Sequence, residues 1–308
     1  MTEPEAGSRR RNGAFWLVAA GVAVVMFGSA APSPLYPVYR QLWGFSSAML
    51  TVVFAVYVGA LLISLLTVGT LSDRVGRRPV IAAALLALIG AMVVFATAGG
   101  VGALLIARVL QGLATGTAIG TLSAALVDLQ PSRRAGALVA SMSPVVGLAC
   151  GVAVSALLVQ YAPSPRRLVY ELLIVALAVL LTAILAVVPE TSPRTGFASA
   201  SHVVRAVTPR VSVPREVRVA FAAGVPALIA TWALGGLNLS LGSSIIAADL
   251  GVSNHAADGA LLSAFFFAAA VAAPLASGGR MRLPASYACL GAGLVLQLAG
   301  SLTGSVLA

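Results

Sequence analysis

The sequence predicts an all-α polytopic membrane protein. Hydrophobic residues fill 59% of its 308 positions and charged residues only 9%, where a soluble domain carries roughly 25% charged residues. The apolar residues fall in long continuous runs. Inside lipid the backbone must satisfy its own hydrogen bonds, which leaves helices and closed barrels. Barrel strands would alternate between apolar and polar positions, so the runs are read as helices.

A spanning helix takes about 20 apolar residues. On that length the spans are 14–35, 47–71, 79–98, 101–127, 135–161, 168–188, 218–246, 258–278 and 284–306. The first follows Arg9, Arg10 and Arg11 and ends in Ser29, Ala30 and Ala31, as a secretory signal would. Its apolar run exceeds the 7–15 residues of a signal core, and more membrane follows, so it is a retained helix. Residues 1–13 form an N-terminal segment, 14–188 a six-helix half, 189–217 a linker with Pro193, Pro209 and Pro214, and 218–308 three further helices.

All nineteen basic residues are arginine; with nine acids they give a formal charge of +10. They sit in short connections between spans, where they set orientation rather than bind nucleic acid. With the N-terminus in the cytoplasm, fifteen arginines fall inside and three, Arg40, Arg166 and Arg167, outside. Arg108 alone lies well within a span. Cys150 and Cys289 have no Cys or His at metal spacing, and His202 and His255 lie in loops; no metal or cofactor is expected.

Residues 69–80 read GTLSDRVGRRPV, a charged packet between two apolar spans. Topology alone needs only its arginines. Gly69 and Gly76 suit a tight reversal or a close helix approach, Pro79 the first turn of the next helix. Asp73, at the negative end of the second span, calls for a positive partner.

Gly69, Leu71, Asp73, Arg74, Gly76, Arg77 and Arg78 closely resemble the loop motif between the second and third helices of the major facilitator superfamily, in letters and in position. Arg108, Gln111 and Gly112 look like a second motif of that family in its fourth helix. SPLYPVY at 33–39 and PET at 189–191 resemble bacterial drug-efflux members. The resemblance implies a helical bundle of two six-helix halves with a solute path between them. About three helices of the second half would be missing here, as if the chain were truncated after its ninth helix.

It further implies secondary transport of a small organic solute by alternating access, as efflux by proton-coupled antiport. Such a carrier sits in the inner cell membrane and acts as a monomer when complete. Gly69, Asp73, Arg74, Gly76, Arg77 and Arg78 would form the cytoplasmic gate. Asp73 would meet its partner on an eleventh helix that this sequence lacks.

Burying Arg108 costs about 2.5–3.5 kcal/mol, which its apolar neighbours offset at roughly 0.3–0.6 each. Arg108, Gln111, Gly112 and Glu171 are the expected coupling and cavity residues, with Glu171 the acid to pair with Arg108. Asp128, Glu171 and Asp258 each also read as interfacial charges, and Glu171 with Arg108 is the pair to test if protons are used. Tyr57, Trp232 and Asn238 are candidates for the solute path.

Gly112, Gly116 and Gly120, with Gly147 and Gly151 in the fifth span, read as small-residue ladders for close helix packing. Two rival classes stand beside transport. A membrane enzyme would show clustered His, Asp, Glu or Ser/His groups, and none is visible. A shortened, non-transporting chain or assembly partner of such a carrier would follow from the missing helices.

Overall fold

The computed structural model describes residues 3–192 and, beyond them, 215–219, 221–226, 229, 232–233, 235–236, 239, 256, 259–260, 262–264 and 266–268. Within 3–192 the chain forms seven α-helices: α1 (Glu3–Ala30), α2 (Tyr36–Trp43), α3 (Ser47–Val75), α4 (Arg77–Ala96), α5 (Val101–Leu129), α6 (Arg133–Tyr161) and α7 (Pro165–Val187). They provide six segments long and apolar enough to cross a membrane: 10–43, 48–67, 77–96, 101–129, 133–161 and 165–187. The first six expected spans are all present. Residues 193–214 of the linker and most of the last three expected spans lie outside the described residues.

The first span differs from expectation at its far end. Instead of closing at residue 35, the chain turns through a 3-10 segment, Ser33–Leu35, and continues as α2 to Trp43. Pro32, Pro34 and Pro37 explain the interruption, because each lacks the N–H that an unbroken helix would use. Gly44 then ends α2 with φ 64° and ψ 25° and donates its N–H to the carbonyl of Arg40, a left-handed stop that favours glycine. Serine side chains start two helices: Ser46 accepts from the Met49 N–H and Ser132 from that of Ala135, each filling one of the donors a helix leaves open at its N-terminus.

The turn between α3 and α4 is tighter than expected. Helix α3 runs to Val75 and α4 starts at Arg77, so the whole connection is Gly76, with φ 105° and ψ 147°. Gly69 and Asp73 therefore lie inside α3. Gly76 carries the positive φ of the reversal, while Gly69 lies within helix α3.

Helix α5 occupies the middle, packed on α1, α3 and α4, while α1 also meets α6 and α7, and α4 meets α7. Glycines set the closest of these contacts. A methyl group on Gly112 would run into the Tyr57 carbonyl, and one on Gly116 would lie 2.5 Å from the Leu61 carbonyl oxygen. Gly147 and Gly151 face the backbone of Ala23 and Phe27 in the same way. Gly120 meets only a Leu65 methyl at 3.6 Å, so the α5 ladder has two functional rungs. Ser64 fastens the α3–α5 contact by hydrogen bonds to the Leu113 carbonyl (2.8 Å) and the Thr117 hydroxyl (2.7 Å).

The main core contains Phe15, Leu50, Ile81, Leu85, Leu88, Met92, Leu122 and Leu177. A smaller cluster joins Ala30, Ala149 and Val152 to Leu262 and Phe266. Leu262 and Phe266 thus rest on α1 and α6. Many large apolar side chains on α3, α5, α6 and α7 are exposed, among them Ile63, Ile106, Leu157 and Val179. Such a surface suits lipid or further helices rather than water.

Candidate functional site: two arginine clusters

The Pro32 break explains how a charge can be held deep inside the bundle. In an intact helix the Gly28 carbonyl would accept from the N–H four residues on, but that residue is proline, which has none. Gln111 Nε2 on α5 fills the gap, donating to the Gly28 carbonyl at 2.8 Å. Arg108, one turn earlier, donates through Nη1 to Gln111 Oε1 (2.5 Å) and to the Ser29 carbonyl (3.4 Å), and through Nη2 to the Tyr36 hydroxyl.

Aromatic rings complete the enclosure. The guanidinium carbon lies 5.3, 5.1 and 5.6 Å from the ring centres of Tyr36, Tyr57 and Phe95, within range of cation–π attraction. Phe95 stacks on Tyr170, whose hydroxyl hydrogen-bonds that of Tyr39 at 3.0 Å. Arg108 and Gln111 are both fully buried, and the Arg108 Nε hydrogen has no acceptor among the described residues.

Arg108 therefore does not reach out to the membrane surface. It lies seven residues into α5, about 10 Å from the helix start at 1.5 Å per residue. Its expected acid is not beside it: Glu171 is exposed on α7, and no ion pair among the described residues involves Arg108. The Glu171–Arg108 pairing is thus corrected. Carbonyls and rings, not a carboxylate, accommodate the charge. Gly112 serves α3–α5 contact, as above. Of the path candidates, Tyr57 joins the Arg108 enclosure, Trp232 is exposed and Asn238 lies outside the described residues.

The second cluster occupies the end of the bundle where α3 passes into α4. Arg77 Nε donates to Asp128 Oδ2 at the end of α5 (2.7 Å), and its Nη1 lies 3.3 Å from Asp73 Oδ1. Asp73 thus finds a positive partner in its own motif. Two arginines in the first turn of α4 oppose the helix dipole. Glu190 compensates: its carboxylate accepts the backbone N–H groups of Arg77 (2.7 Å) and Arg78 (3.3 Å).

Arg78 donates to the Leu185 carbonyl, and Ser192 Oγ donates to the Asp73 carbonyl at 2.9 Å. The stretch after α7 is thereby tied to the α3–α4 turn. Arg74 lies in the last turn of α3, where a cation suits the helix dipole.

The motifs did not single out Tyr36, Phe95, Glu190 or Asp128 as site residues. Tyr36 and Glu190 stand within SPLYPVY and PET, two stretches that already looked distinctive. Asp128 could be found by noting that three helix ends with opposite charges must meet on one face. Phe95 had no signal, since one more aromatic residue in an apolar span is unremarkable in sequence.

Comparison with known proteins fits this architecture. The fold is similar to that of the human organic anion transporter MFSD10 (TETRAN), with a TM-score of 0.65 at 18% identity over 86% of this chain and 71% of that one. It is also similar to a bacterial homolog of the human lysosomal transporter Spinster, inward-facing and unoccupied, with a TM-score of 0.61 at 15% identity over 86% of this chain and 60% of that one. The chain thus spans less than two thirds of the latter. The sequence itself matches the Major Facilitator Superfamily over residues 18–308. The chain carrying these two arginine clusters is a multi-pass membrane protein that belongs to the Major Facilitator Superfamily of transporters.

Proposed function

We propose that the protein is a secondary active transporter that exports a small amphipathic organic solute by alternating access, with the proton gradient as its driving force. The observation that carries this reading is the Arg108 enclosure: a permanently charged guanidinium at membrane depth, held by a broken helix and three rings. Ionisable groups are expensive at such depth and mark solute or ion pathways. An arginine stays protonated, so Arg108 acts as a fixed charge that favours an anionic or acceptor group on the solute rather than as the proton carrier.

In this reading the α3–α4 turn, with Gly69, Asp73, Arg74, Gly76, Arg77 and Arg78, is the cytoplasmic gate. The Arg77 links to Asp73 and Asp128 and the Glu190 carboxylate at the start of α4 hold it in one position, and their rearrangement would accompany opening. The arginine excess at this end supports a cytoplasmic N-terminus. A bacterial inner membrane is the proposed location.

The test is flux. The full chain reconstituted in liposomes with an entrapped pH dye is expected to show solute-dependent proton movement with at least one member of a panel of amphipathic anions, neutral solutes and cations, anions being favoured. A correctly folded preparation that moves none of them would overturn the proposal and leave a non-transporting role. Maleimide labelling of Thr70→Cys on intact cells checks the orientation: modification by an impermeant reagent from outside would reverse it.

A further inference from the structure

A cleft of about 470 Å³ opens at the same end as the α3–α4 turn, lined by Arg10, Arg11, Asp128, Leu129, Pro189 and Thr191. It lies apart from the Arg108 enclosure and shares only Asp128 with the gate. Its location follows from the helices: α1 enters the bundle there, α5 ends at Leu129 and α7 at Val187. Three spans therefore meet the membrane boundary around it. Trp16, six residues deeper on α1, is exposed about 9 Å further in, the depth at which tryptophan marks the lipid–water interface.

The charge in the cleft is strongly one-sided. The Asp128 carboxylate is already held by Arg77 Nε at 2.7 Å, while Arg11 reaches only the Asp128 backbone carbonyl at 2.9 Å. Among the described residues neither Arg10 nor Arg11 has a carboxylate within ion-pair distance. Both side chains are exposed to the cleft region. Thr191 also lines the cleft, and its hydroxyl is buried with no hydrogen-bond partner among the described residues. Leu129 and Pro189 supply an apolar wall beside it.

We propose that this cleft is a binding site for the phosphate-bearing headgroup of an anionic phospholipid. Arg10 and Arg11 supply fixed positive donors to the phosphate oxygens, a match that guanidinium groups make well. The Thr191 hydroxyl gains the acceptor it lacks. Leu129 and Pro189 face the glycerol and the first methylenes. The volume falls in the 300–1,000 Å³ range of small-molecule pockets and leaves far more room than a bare phosphate needs. Basic pockets between spanning helices recognise anionic headgroups in this way.

Calorimetric titration of the detergent-purified full chain tests the site with three probes: dihexanoyl phosphatidylglycerol, dihexanoyl phosphatidylcholine and inorganic phosphate. The anionic phosphatidylglycerol is expected to bind at least tenfold tighter than the other two. Arg10→Gln with Arg11→Gln should weaken it about thirtyfold, from roughly 1 kcal/mol for each arginine. Thr191→Val, which leaves every charge in place, should weaken it about fivefold. Arg166→Gln with Arg167→Gln, at the other end of the bundle, should leave it unchanged. Equal binding of the two lipids, or equal loss in the Arg166/Arg167 variant, would overturn the site. Inorganic phosphate binding as tightly as phosphatidylglycerol would overturn the lipid as the source and leave a soluble phosphate in its place.

Discussion

Arg108 and Arg77 are the same residue type solving opposite problems. Arg108 is fully buried at membrane depth and surrounded by a hydroxyl, an amide, a carbonyl and three rings. Arg77 sits at the end of the bundle, partly exposed, between two carboxylates. The difference shows what each environment permits. Near water, opposite charges can pair because solvent relieves what the pair leaves unsatisfied. In the bundle interior, a carboxylate would add its own desolvation cost, so dipoles and π faces take its place. Those dipoles are available because prolines have broken α1.

The sharpest way to break this comparison is the same substitution at both sites. Arg108→Lys keeps the charge but loses the planar fork that serves Gln111, Ser29 and Tyr36 together. It is expected to lower liposome flux at least tenfold, with Arg108→Ala lower still. Arg77→Lys should keep most activity, because a point charge can still lie between Asp73 and Asp128. Equal loss in the two lysine variants would mean that charge alone matters at Arg108.

Packing gives the next effect. Gly112→Leu forces α3 away from α5 and should destabilise the protein by about 3 kcal/mol or more, at the upper end for overpacked sites. Gly120→Leu meets only a movable Leu65 methyl and should cost about 1 kcal/mol or less. Melting of the two variants in detergent measures the gap; similar curves would remove the close α3–α5 approach from the account.

Glu190→Ala removes the acceptor from two N–H groups at the start of α4 and should cost about 1 kcal/mol, less in high salt because the site is partly exposed. An Arg108 variant should show little salt dependence. Smallest of all is Glu171→Gln. An exposed carboxylate away from Arg108 should change flux less than twofold, and a larger drop would restore the acid–arginine pairing that the sequence suggested.

Much of the architecture was legible because lipid leaves few options. Five of the six apolar runs became spans at nearly their expected limits, while the first runs on through its proline break to Trp43, and Gly112, Gly116, Gly147 and Gly151 marked close helix contacts although Gly120 did not. The site was only half legible. Arg108 and Gln111 stood out as polar residues in apolar runs, and their i, i+3 spacing put them on one helix face. What they touch did not show, since Gly28 and Ser29 contribute backbone carbonyls, which carry no signature of residue type. Glu171 was misassigned because similar depth along two helices says nothing about whether their side chains face each other.

By itself, then, the sequence determined a helical membrane bundle, where its spans lie and which charges are too costly to be incidental. The cost of an unpaired backbone group in lipid depends only on composition and run length, so it can be read along the chain. Only tertiary structure decided that the Pro32 break faces Gln111, that Glu190 folds back onto α4 and that Glu171 turns outward. Each of these depends on the rotation of one helix about its axis relative to its neighbours, and side-chain packing across the bundle fixes that rotation.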